Sequence, residues 1–382
     1  MSENGTERNT THAGGWLKSV IVTLVVSLVL LACIEGSIRI FWPQECRFHG
    51  ERFLLGQYDA RTQEEGVGDV EYPMKPNARG LQVCPEWSVE YRINQNGLRD
   101  EAAHPQTLPP ETTRMLVFGD SFTFGWGVDY PKIWPVVMEN ELLARGRKVD
   151  VIKAGRPGAC TETELRFLKV AFPKYQPNVV VIGFEPAELA RNLSMSKLQR
   201  EQAGEPSSNS SPEPVKTTWA SFRELLQSYQ TLLLVKRFLP MDRLILQYHG
   251  TFPDTFCRTP ISPIVERQIE ATKTLFAQVA DYCKDHGAKL VVVSIPMKFQ
   301  VTAAAGGTRS PNLDVDLVDR IFSEFAAKHG FEWVPTLHSL ADLQKTTGEH
   351  LYFPMDAHLN ENGNIAVGLY VAKHFAEASP TR

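Results

Sequence analysis

Ser121 is the residue of this 382-residue chain whose setting best suits a nucleophile. It follows the apolar run 115–118 and the pair Gly119-Asp120, so it stands where a buried strand is expected to end. In an open α/β sheet, ligands bind at the carboxyl ends of the strands. A serine hydroxyl is a weak nucleophile until a base takes its proton, and the usual base is an imidazole oriented by a carboxylate. The chain must therefore supply a histidine and an acid from elsewhere.

The segment Asp356-Ala-His358 can supply both groups from one loop. It lies in a turn-rich stretch before an apolar helix that we predict to start near Ile365. We predict that Ser121 attacks an ester carbonyl after His358 accepts its proton, while Asp356 holds the imidazole. Structural interpretations stand beside these roles, because an aspartate is a common turn former and His358 could simply lie at the start of the helix.

These two segments resemble the first and last sequence blocks of the SGNH (GDSL-type) hydrolase superfamily of esterases, lipases and carbohydrate acetylesterases. The Gly-Asp-Ser segment matches the first block. The Asp-x-His segment matches the last, where it replaces the commoner Asp-x-x-His. The resemblance covers roughly residues 90–378.

The resemblance also implies an oxyanion hole formed by the backbone amides of Ser121 and Gly158. Gly158 ends the segment 154–158, Ala-Gly-Arg-Pro-Gly, which looks like the second block of the family. A plain Pro-Gly turn is the competing interpretation of the same residues. Asp120 is expected to hold the loop in shape.

The third block of the family is where this chain departs from the pattern. The family reads Gly-x-Asn-Asp or a longer variant, whereas the expected asparagine falls here at Glu185 on the shorter spacing and at Ala187 on the longer one. Loss of one oxyanion donor typically costs about 100- to 1,000-fold in turnover. Asn192 could reach back into the site and compensate.

Alternation of strand and helix patterns after Ser121 predicts a flavodoxin-like three-layer α/β/α sandwich around a central parallel sheet. One transmembrane helix is expected to precede it. Besides the strand before Ser121, the predicted strands are 149–153, 179–182, 289–295 and 331–334, and the predicted helices are 133–145, 162–172, 263–286 and 314–329.

The chain is predicted to contain four successive regions. They are a disordered tail at 1–15, a transmembrane anchor at 16–42, a juxtamembrane accessory segment at 43–110 with a strand at 87–93, and the SGNH-type domain at 111–380. An insertion at about 190–262 interrupts that domain. Its Ser/Pro/Glu-rich stretch 196–216 cannot bury enough surface to order itself. Its helix 219–238 has an apolar face that either packs on the domain or serves as a lid or acceptor-binding element.

Residues 19–34 carry no charge, and the apolar character extends to Trp42. A helix needs about 20 residues to cross the hydrocarbon core, so a single crossing is feasible. A cleaved signal peptide and a lipid-modified Cys33 are the alternatives. Either alternative places the body of the protein outside the cytoplasm. For the anchor the charges on its two sides are nearly balanced, but a short polar N-terminal tail is easily left inside, so we expect a single-pass membrane protein whose catalytic domain is periplasmic or extracellular.

Composition excludes several classes of function. A formal net charge of −4 without a basic cluster argues against a nucleic-acid partner. The sequence contains no glycine-rich phosphate loop, dinucleotide fingerprint or metal-ligand spacing, so neither a metal nor a cofactor is expected. Among the six cysteines, a bridge between Cys46 and Cys84 would be permitted in an oxidising compartment.

Together, the resemblance and the anchor predict a serine esterase that cleaves acyl esters, expected to be acetyl esters, of envelope or exported carbohydrate. Two alternatives stay open. The same three side chains can pass the acyl group to a sugar hydroxyl, which would make the protein a polysaccharide O-acetyltransferase. The departure in the third block would also suit a non-catalytic glycan-binding or assembly protein.

Overall fold

The computed structural model divides the chain into two units. It describes residues 10–44, 46–51, 53, 74–102, 104–202, 231, 234–235, 239, 255–306 and 312–377. One unit contains residues 1–46 and 212–239, and the other contains residues 47–211 and 240–382. Most of the predicted helix 219–238 lies outside the described residues, so its role stays a prediction.

The smaller unit is built on helix α1 (Thr10–Phe41), which begins inside the tail that was expected to be disordered. Its stretch Lys18–Phe41 has a mean hydropathy of 2.4, and its most apolar 18-residue window contains no buried residue. The helix is therefore long and apolar enough to cross a membrane, a property that a signal sequence shares. Glu35 on this helix accepts hydrogen bonds from the backbone nitrogen and the hydroxyl of Thr231, at 2.8 and 2.7 Å.

The larger unit contains the predicted parallel sheet, and its topology confirms the flavodoxin-like fold. Five strands lie in the order β5-β4-β6-β7-β8. They are β4 (Thr113–Gly119), β5 (Val149–Lys153), β6 (Val179–Phe184), β7 (Lys289–Ser294) and β8 (Glu332–Pro335). Because β4 pairs with β5 on one side and β6 on the other, the strand order reverses beside β4. Such a reversal opens a crevice at the carboxyl ends of the strands.

Helices cover both faces of this sheet. One face packs against α4 (Thr161–Tyr175), α6 (Pro263–Asp285) and α8 (Leu317–His329). The other packs against α3 (Trp134–Ala144), α7 (Lys298–Gly306), α9 (Leu337–Thr347) and α10 (Glu361–Glu377). Every residue of β6 is buried, which explains its continuous apolar run without alternation.

A second sheet forms the accessory layer that the sequence predicted around residues 87–93. It is antiparallel and contains β1 (Arg47–Gly50), β2 (Arg79–Val83) and β3 (Ser88–Arg92) in that order. Alternate residues of β2 and β3 are buried, so one face is covered and the other is exposed. From the covered face, the Tyr91 ring lies 5.3 Å from the ring of Phe124, which belongs to the helix that starts at Ser121.

Among the longer helices that the structure describes, α5 (Glu188–Gln202), α7 and α9 differ from the sequence prediction. Helices α7 and α9 occupy stretches for which the pattern indicated no element. Helix α5 continues through residues 196–202, where a loop was predicted. The reason is local, because Leu, Gln, Arg and Glu in this stretch are good helix formers and the helix-breaking Gly and Pro residues come only afterwards.

The described cysteines include both disulfide-bonded residues and free thiols. Cys46 and Cys84 are disulfide-bonded, whereas Cys33, Cys160, Cys257 and Cys283 are free thiols. Cys160, close to Gly158, is buried, and burial raises the pKa of its thiol to about 12. It is therefore a structural thiol rather than a nucleophile.

Candidate active site

The turn from β4 into helix α2 (Ser121–Phe124) presents Ser121 at the carboxyl edge of the sheet. Gly119 makes this turn possible, since its φ of +146° is rare for residues with a side chain. A Cβ atom there would lie only 1.9 Å from the hydroxyl oxygen of Thr123 and 2.8 Å from the Gly183 carbonyl oxygen. Asp120 then caps α2, because its carboxylate accepts a hydrogen bond from the Phe122 amide at 2.9 Å.

The loop 352–359 presents Asp356 and His358 at the same edge. A bridge between Tyr352 and Leu359 closes the loop, and the Phe353 amide donates to the His358 carbonyl oxygen at 2.8 Å. Between the two functional side chains, Ala357 has a φ of +69°. Left-handed backbone at a residue other than glycine persists only where surrounding contacts impose it.

The structure brings Ser121, His358 and Asp356 into one hydrogen-bonded chain. The Ser121 Oγ lies 2.7 Å from Nε2 of His358, and Nδ1 of the same ring is hydrogen-bonded to Asp356 Oδ1. An ionised carboxylate can only accept, so Nδ1 carries the proton and Nε2 of the neutral ring is the acceptor for the serine hydroxyl. This arrangement can take a proton from Ser121 as its oxygen attacks an electrophile.

Electrostatics at the imidazole favour its protonated form. Burial acts to lower the pKa of His358, but the hydrogen bond and charge of Asp356, with smaller effects from Asp120 and Glu185, outweigh it. The pKa of His358 therefore lies above its usual value, as suits a base that must hold a proton during reaction. The Phe122 ring packs against the imidazole, with 4.8 Å between ring centroids.

Gly158 lies in a loop that packs against α2. The Arg156 amide donates to the Gly119 carbonyl oxygen at 2.9 Å, and a Cβ atom on Gly155 would lie 2.5 Å from the Phe124 nitrogen. In the described part of the chain, neither the Ser121 amide nor the Gly158 amide donates to another protein group. Each amide thus keeps an unused donor in the described part of the chain, and a role in an oxyanion hole stays a prediction.

Arg191 is a site residue that the sequence analysis missed. Its Nη2 donates to Asp120 Oδ2 at 2.7 Å and lies 3.9 Å from a carboxylate oxygen of Glu185. Since Gly119 pairs with Gly183, Ser121 and Glu185 each follow that pair by two residues and leave the sheet side by side. Arg191 on α5 thus connects the two turns. Its distance in sequence from Gly119-Asp120-Ser121 follows no pattern from which this contact could have been predicted.

Glu185 occupies the position where the shorter family spacing would place the asparagine. Its side chain is 2% exposed, and burial followed by the charge of Asp120 raises its pKa to about 7. Its Oε1 accepts a hydrogen bond from the Ala187 amide at 3.0 Å. The methyl side chain at Ala187 itself brings no hydrogen-bond donor to the site.

Asn192 does not act as the sequence analysis expected. Its amide nitrogen donates to the hydroxyls of Thr161 and Thr272, both at 3.1 Å, where α4, α5 and α6 meet. An amide nitrogen has two hydrogens, and both are used there, so Asn192 offers none to Ser121. Packing between the three helices decides its orientation.

Two further buried acids lie behind the site. Glu164 and Glu188 are fully buried, and burial together with the charges of neighbouring acids raises the pKa of each, which for Glu164 reaches about 8. Neither carboxyl oxygen of Glu164 has a hydrogen-bond partner among the described residues. Glu164 is therefore mostly protonated at neutral pH.

Arg99 and Glu86, both near the accessory layer, hold the two loops of the site. Arg99 donates to the carbonyl oxygens of Phe124 and Gly125 at 2.8 Å. Glu86 accepts hydrogen bonds from backbone amides of the loop that carries Asp356. Sequence reasoning missed both, because such contacts depend on tertiary structure and leave no local pattern.

Residues 258–381 match the family model described as SGNH hydrolase-like domain, acetyltransferase AlgX. This range includes Asp356 and His358 but not Ser121. A curated arylesterase from Vibrio mimicus is 31% identical over 90 residues, which are 21% of this chain and 45% of that protein. The chain thus spans about half the length of the curated relative it matches.

Two solved structures are matched over most of their own length at low sequence identity and low TM-score. TesA is 14% identical, with a TM-score of 0.39 over 68% of this chain and 96% of that chain. The psychrotrophic esterase EstA from Pseudoalteromonas sp. is 10% identical, with a TM-score of 0.38 over 69% of this chain and 97% of that chain. The family match over residues 258–381 is the finding that supports the resemblance to the SGNH superfamily.

Proposed function

We propose that this protein is a serine esterase that removes acyl groups, specifically acetyl groups, from hydroxyls of carbohydrate. The hydrogen-bonded chain from Ser121 through His358 to Asp356 is the observation that carries this proposal. An aligned serine, imidazole and carboxylate at the open edge of a parallel sheet has the composition and order that nucleophilic acyl transfer requires.

The reaction would run in two steps. Ser121 Oγ attacks the ester carbonyl carbon while Nε2 of His358 takes the hydroxyl proton, and the alcohol leaves with that proton. Water then attacks the acyl-serine while His358 takes its proton, and His358 passes that proton to Ser121 Oγ as the acyl–oxygen bond breaks and the acid is released. Asp356 stabilises the imidazolium in both steps, and the amides of Ser121 and Gly158 would hold the developing oxyanion.

Support for the acyl group and for its carrier comes from different sources. The matched family model carries the name of an acetyltransferase, and the curated relative is named an arylesterase, so both names concern acyl chemistry. The carbohydrate carrier rests on the sequence resemblance, and acetylated oligosaccharide is therefore the first substrate class to test.

Acetyl transfer to a second sugar is the other candidate, and the name of the matched family favours it. Both reactions share the acyl-serine and differ only in what attacks it. Incubation of the full-length protein in detergent with an acetylated donor and an oligosaccharide acceptor separates them. Free acetate as the product supports the esterase, whereas acetylated acceptor in mass spectra supports transfer.

The acyl-serine itself can be tested without knowing the substrate. A fluorophosphonate should label Ser121, identified by peptide mass spectrometry, and labelling should disappear in His358→Ala. His338→Ala, which changes a histidine whose side chain is 70% exposed, is the matched control and should label normally. Absence of labelling in the native protein would leave a glycan-binding role as the better account.

Helix α1 would anchor this activity on the outer side of a membrane. Its apolar stretch suits a crossing, and the disulfide-bonded state of Cys46 and of Cys84 suits an oxidising compartment. Protease added to cells whose outer membrane has been permeabilised, with the inner membrane left intact, should therefore degrade the larger unit. Protection until the inner membrane is also opened would place that unit in the cytoplasm and contradict this topology.

A further inference from the structure

Glu86 holds the backbone of the loop that carries Asp356. It lies in the turn between β2 and β3 of the accessory sheet. One of its carboxylate oxygens accepts a hydrogen bond from the Met355 amide at 2.9 Å, and the other accepts one from the Asp356 amide at 3.0 Å. Both oxygens of a single carboxylate thus bind two successive amides of the loop.

The loop depends on contacts of this kind. The bridge between Tyr352 and Leu359 ties its two ends, but Met355 and Asp356 lie at its tip. In the described part of the chain, the amides of these two tip residues donate only to Glu86. The next residue, Ala357, has a φ of +69°, a conformation that needs outside support.

The turn that carries Glu86 is rigid enough to provide this support. The Cys84 amide donates to the Trp87 carbonyl oxygen at 2.8 Å, which closes the turn, and Cys84 is covalently tied by its disulfide. The indole of Trp87 donates to Gln82 at 3.1 Å, and its ring lies 4.7 Å from the ring of Phe353 in the loop. Two adjacent residues of the turn between β2 and β3 therefore hold the loop, Glu86 by charge-assisted hydrogen bonds and Trp87 by packing.

We propose that Glu86 is a positioning residue of the active site, which fixes the Asp356 backbone so that its carboxylate stays on Nδ1 of His358. The accessory sheet then helps to position the catalytic loop and does not merely connect α1 to the larger sheet. This inference rests on the proposed function for its kinetic consequence but not for its structural one.

The test compares Glu86→Ala and Glu86→Gln with the native full-length protein in detergent. Glu90→Ala is the matched control, because Glu90 lies on the adjacent strand, is exposed, and bonds Arg92 of the same strand. Two quantities are measured: kcat and KM for p-nitrophenyl acetate, and the pH midpoint for carbethoxylation of His358 by diethyl pyrocarbonate, followed by peptide mass spectrometry. The second needs no catalysis, and a His358 side chain that is 23% exposed is open to the reagent.

Loss of the hydrogen bonds to Glu86 should slow the chemical step without weakening substrate binding. Glu86→Ala should lower kcat about 10- to 100-fold, since small misplacements of catalytic groups have effects of this size, and leave KM within about twofold. The His358 midpoint should fall in Glu86→Ala, because Asp356 no longer holds the imidazolium as firmly. The other charges facing the ring, from Asp120 after β4 and Glu185 after β6, stay in place.

Glu86→Gln separates positioning from charge. It loses the same charge as Glu86→Ala but keeps one acceptor oxygen, so its kcat and midpoint should lie between those of Glu86→Ala and the native protein. Equal values for Glu86→Ala and Glu86→Gln would assign the effect to charge and overturn the proposal, as would native values in both. If Glu86→Ala does not fold, native values in Glu86→Gln overturn it.

The same measurements distinguish failure of the proposed esterase function from failure of the positioning role. A native protein without esterase activity, whose His358 midpoint still falls in Glu86→Ala and only partly in Glu86→Gln, would retain the positioning role and reject the esterase. A native protein with activity that depends on Ser121, in which Glu86→Ala changes nothing, would retain the esterase and reject the positioning role.

Discussion

At the scale of single residues, charge governs the site. His358 faces three acids, Asp356, Asp120 and Glu185, which together raise its pKa against the effect of burial. The hydrogen bond from Nδ1 to Asp356 also fixes the tautomer that leaves Nε2 for Ser121. Arg191 in turn lies between two of these acids. Activity and stability should therefore respond to changes in these charges in predictable directions.

Esterase activity should rise with pH through a midpoint above about 6.5, since only neutral His358 can accept the serine proton. Asp356→Asn removes the main group that raises the pKa of His358, so the midpoint should move to lower pH. In the same variant kcat should fall about 1,000-fold or more, because the imidazole loses its orientation. The pH profile of kcat/KM measures both effects. An unchanged midpoint in Asp356→Asn would contradict the assigned role.

Replacing Arg191 with methionine should destabilise the fold. The change leaves the buried carboxylate of Asp120 without its cation, and removal of one partner of a buried pair costs about 3–5 kcal/mol. Arg320→Met is the control, because Arg320 is 52% exposed and its pair with Asp314 should contribute less than about 1 kcal/mol. Urea unfolding of both variants gives the comparison. Equal losses of unfolding free energy would show that Arg191 has no special role.

At the scale of elements, the site depends on how two strand ends and two loops meet. The apolar runs of β4 and β6 could be predicted from sequence, because strands buried on both faces are continuously apolar. The contacts of Asn192 could not, because hydroxyls on two other helices determine where its amide points. Helix α5 was partly missed because its polar residues suit a helix as well as a loop.

Gly119→Ala should be much more damaging than Gly146→Ala. Both glycines have a positive φ, but a Cβ at Gly119 would clash with Thr123 and Gly183, whereas a Cβ at Gly146 would meet nothing within 4 Å. Gly146→Ala should cost about 1 kcal/mol of unfolding free energy, and Gly119→Ala several kcal/mol together with most of the activity. Thermal unfolding and ester turnover test this pair. Similar costs for the two would mean that the turn before Ser121 tolerates a side chain.

At the scale of the whole molecule, the sequence predicted the architecture better than the interior chemistry. The three-layer sandwich follows from alternating patterns, and the triad follows from two short segments at distant positions. A group of buried acids behind the site was not foreseen, because Glu164 and Glu188 look like ordinary helix residues in the sequence. Burial of such groups links the stability of the entire fold to pH.

Stability should decrease as pH rises from about 5 to about 8. A glutamic acid in the unfolded chain loses its proton near pH 4.5, whereas Glu185 and Glu164 hold theirs in the fold up to about 7 and 8. Over that interval the folded state binds more protons than the unfolded state, so unfolding free energy falls with pH. Glu164→Gln should flatten the dependence and stabilise the fold at pH 8. Thermal unfolding midpoints at several pH values measure this dependence. A midpoint that rises from pH 5 to pH 8 would contradict the prediction.

The central claim is that Ser121, activated by His358, performs ester chemistry. The most direct measurement is turnover of p-nitrophenyl acetate by the full-length protein in detergent, compared with Ser121→Ala and His358→Ala under the same conditions. We predict measurable turnover in the native protein and a loss of at least about 1,000-fold in kcat in each variant, because the two residues act as one unit. Equal rates in all three proteins would contradict the account.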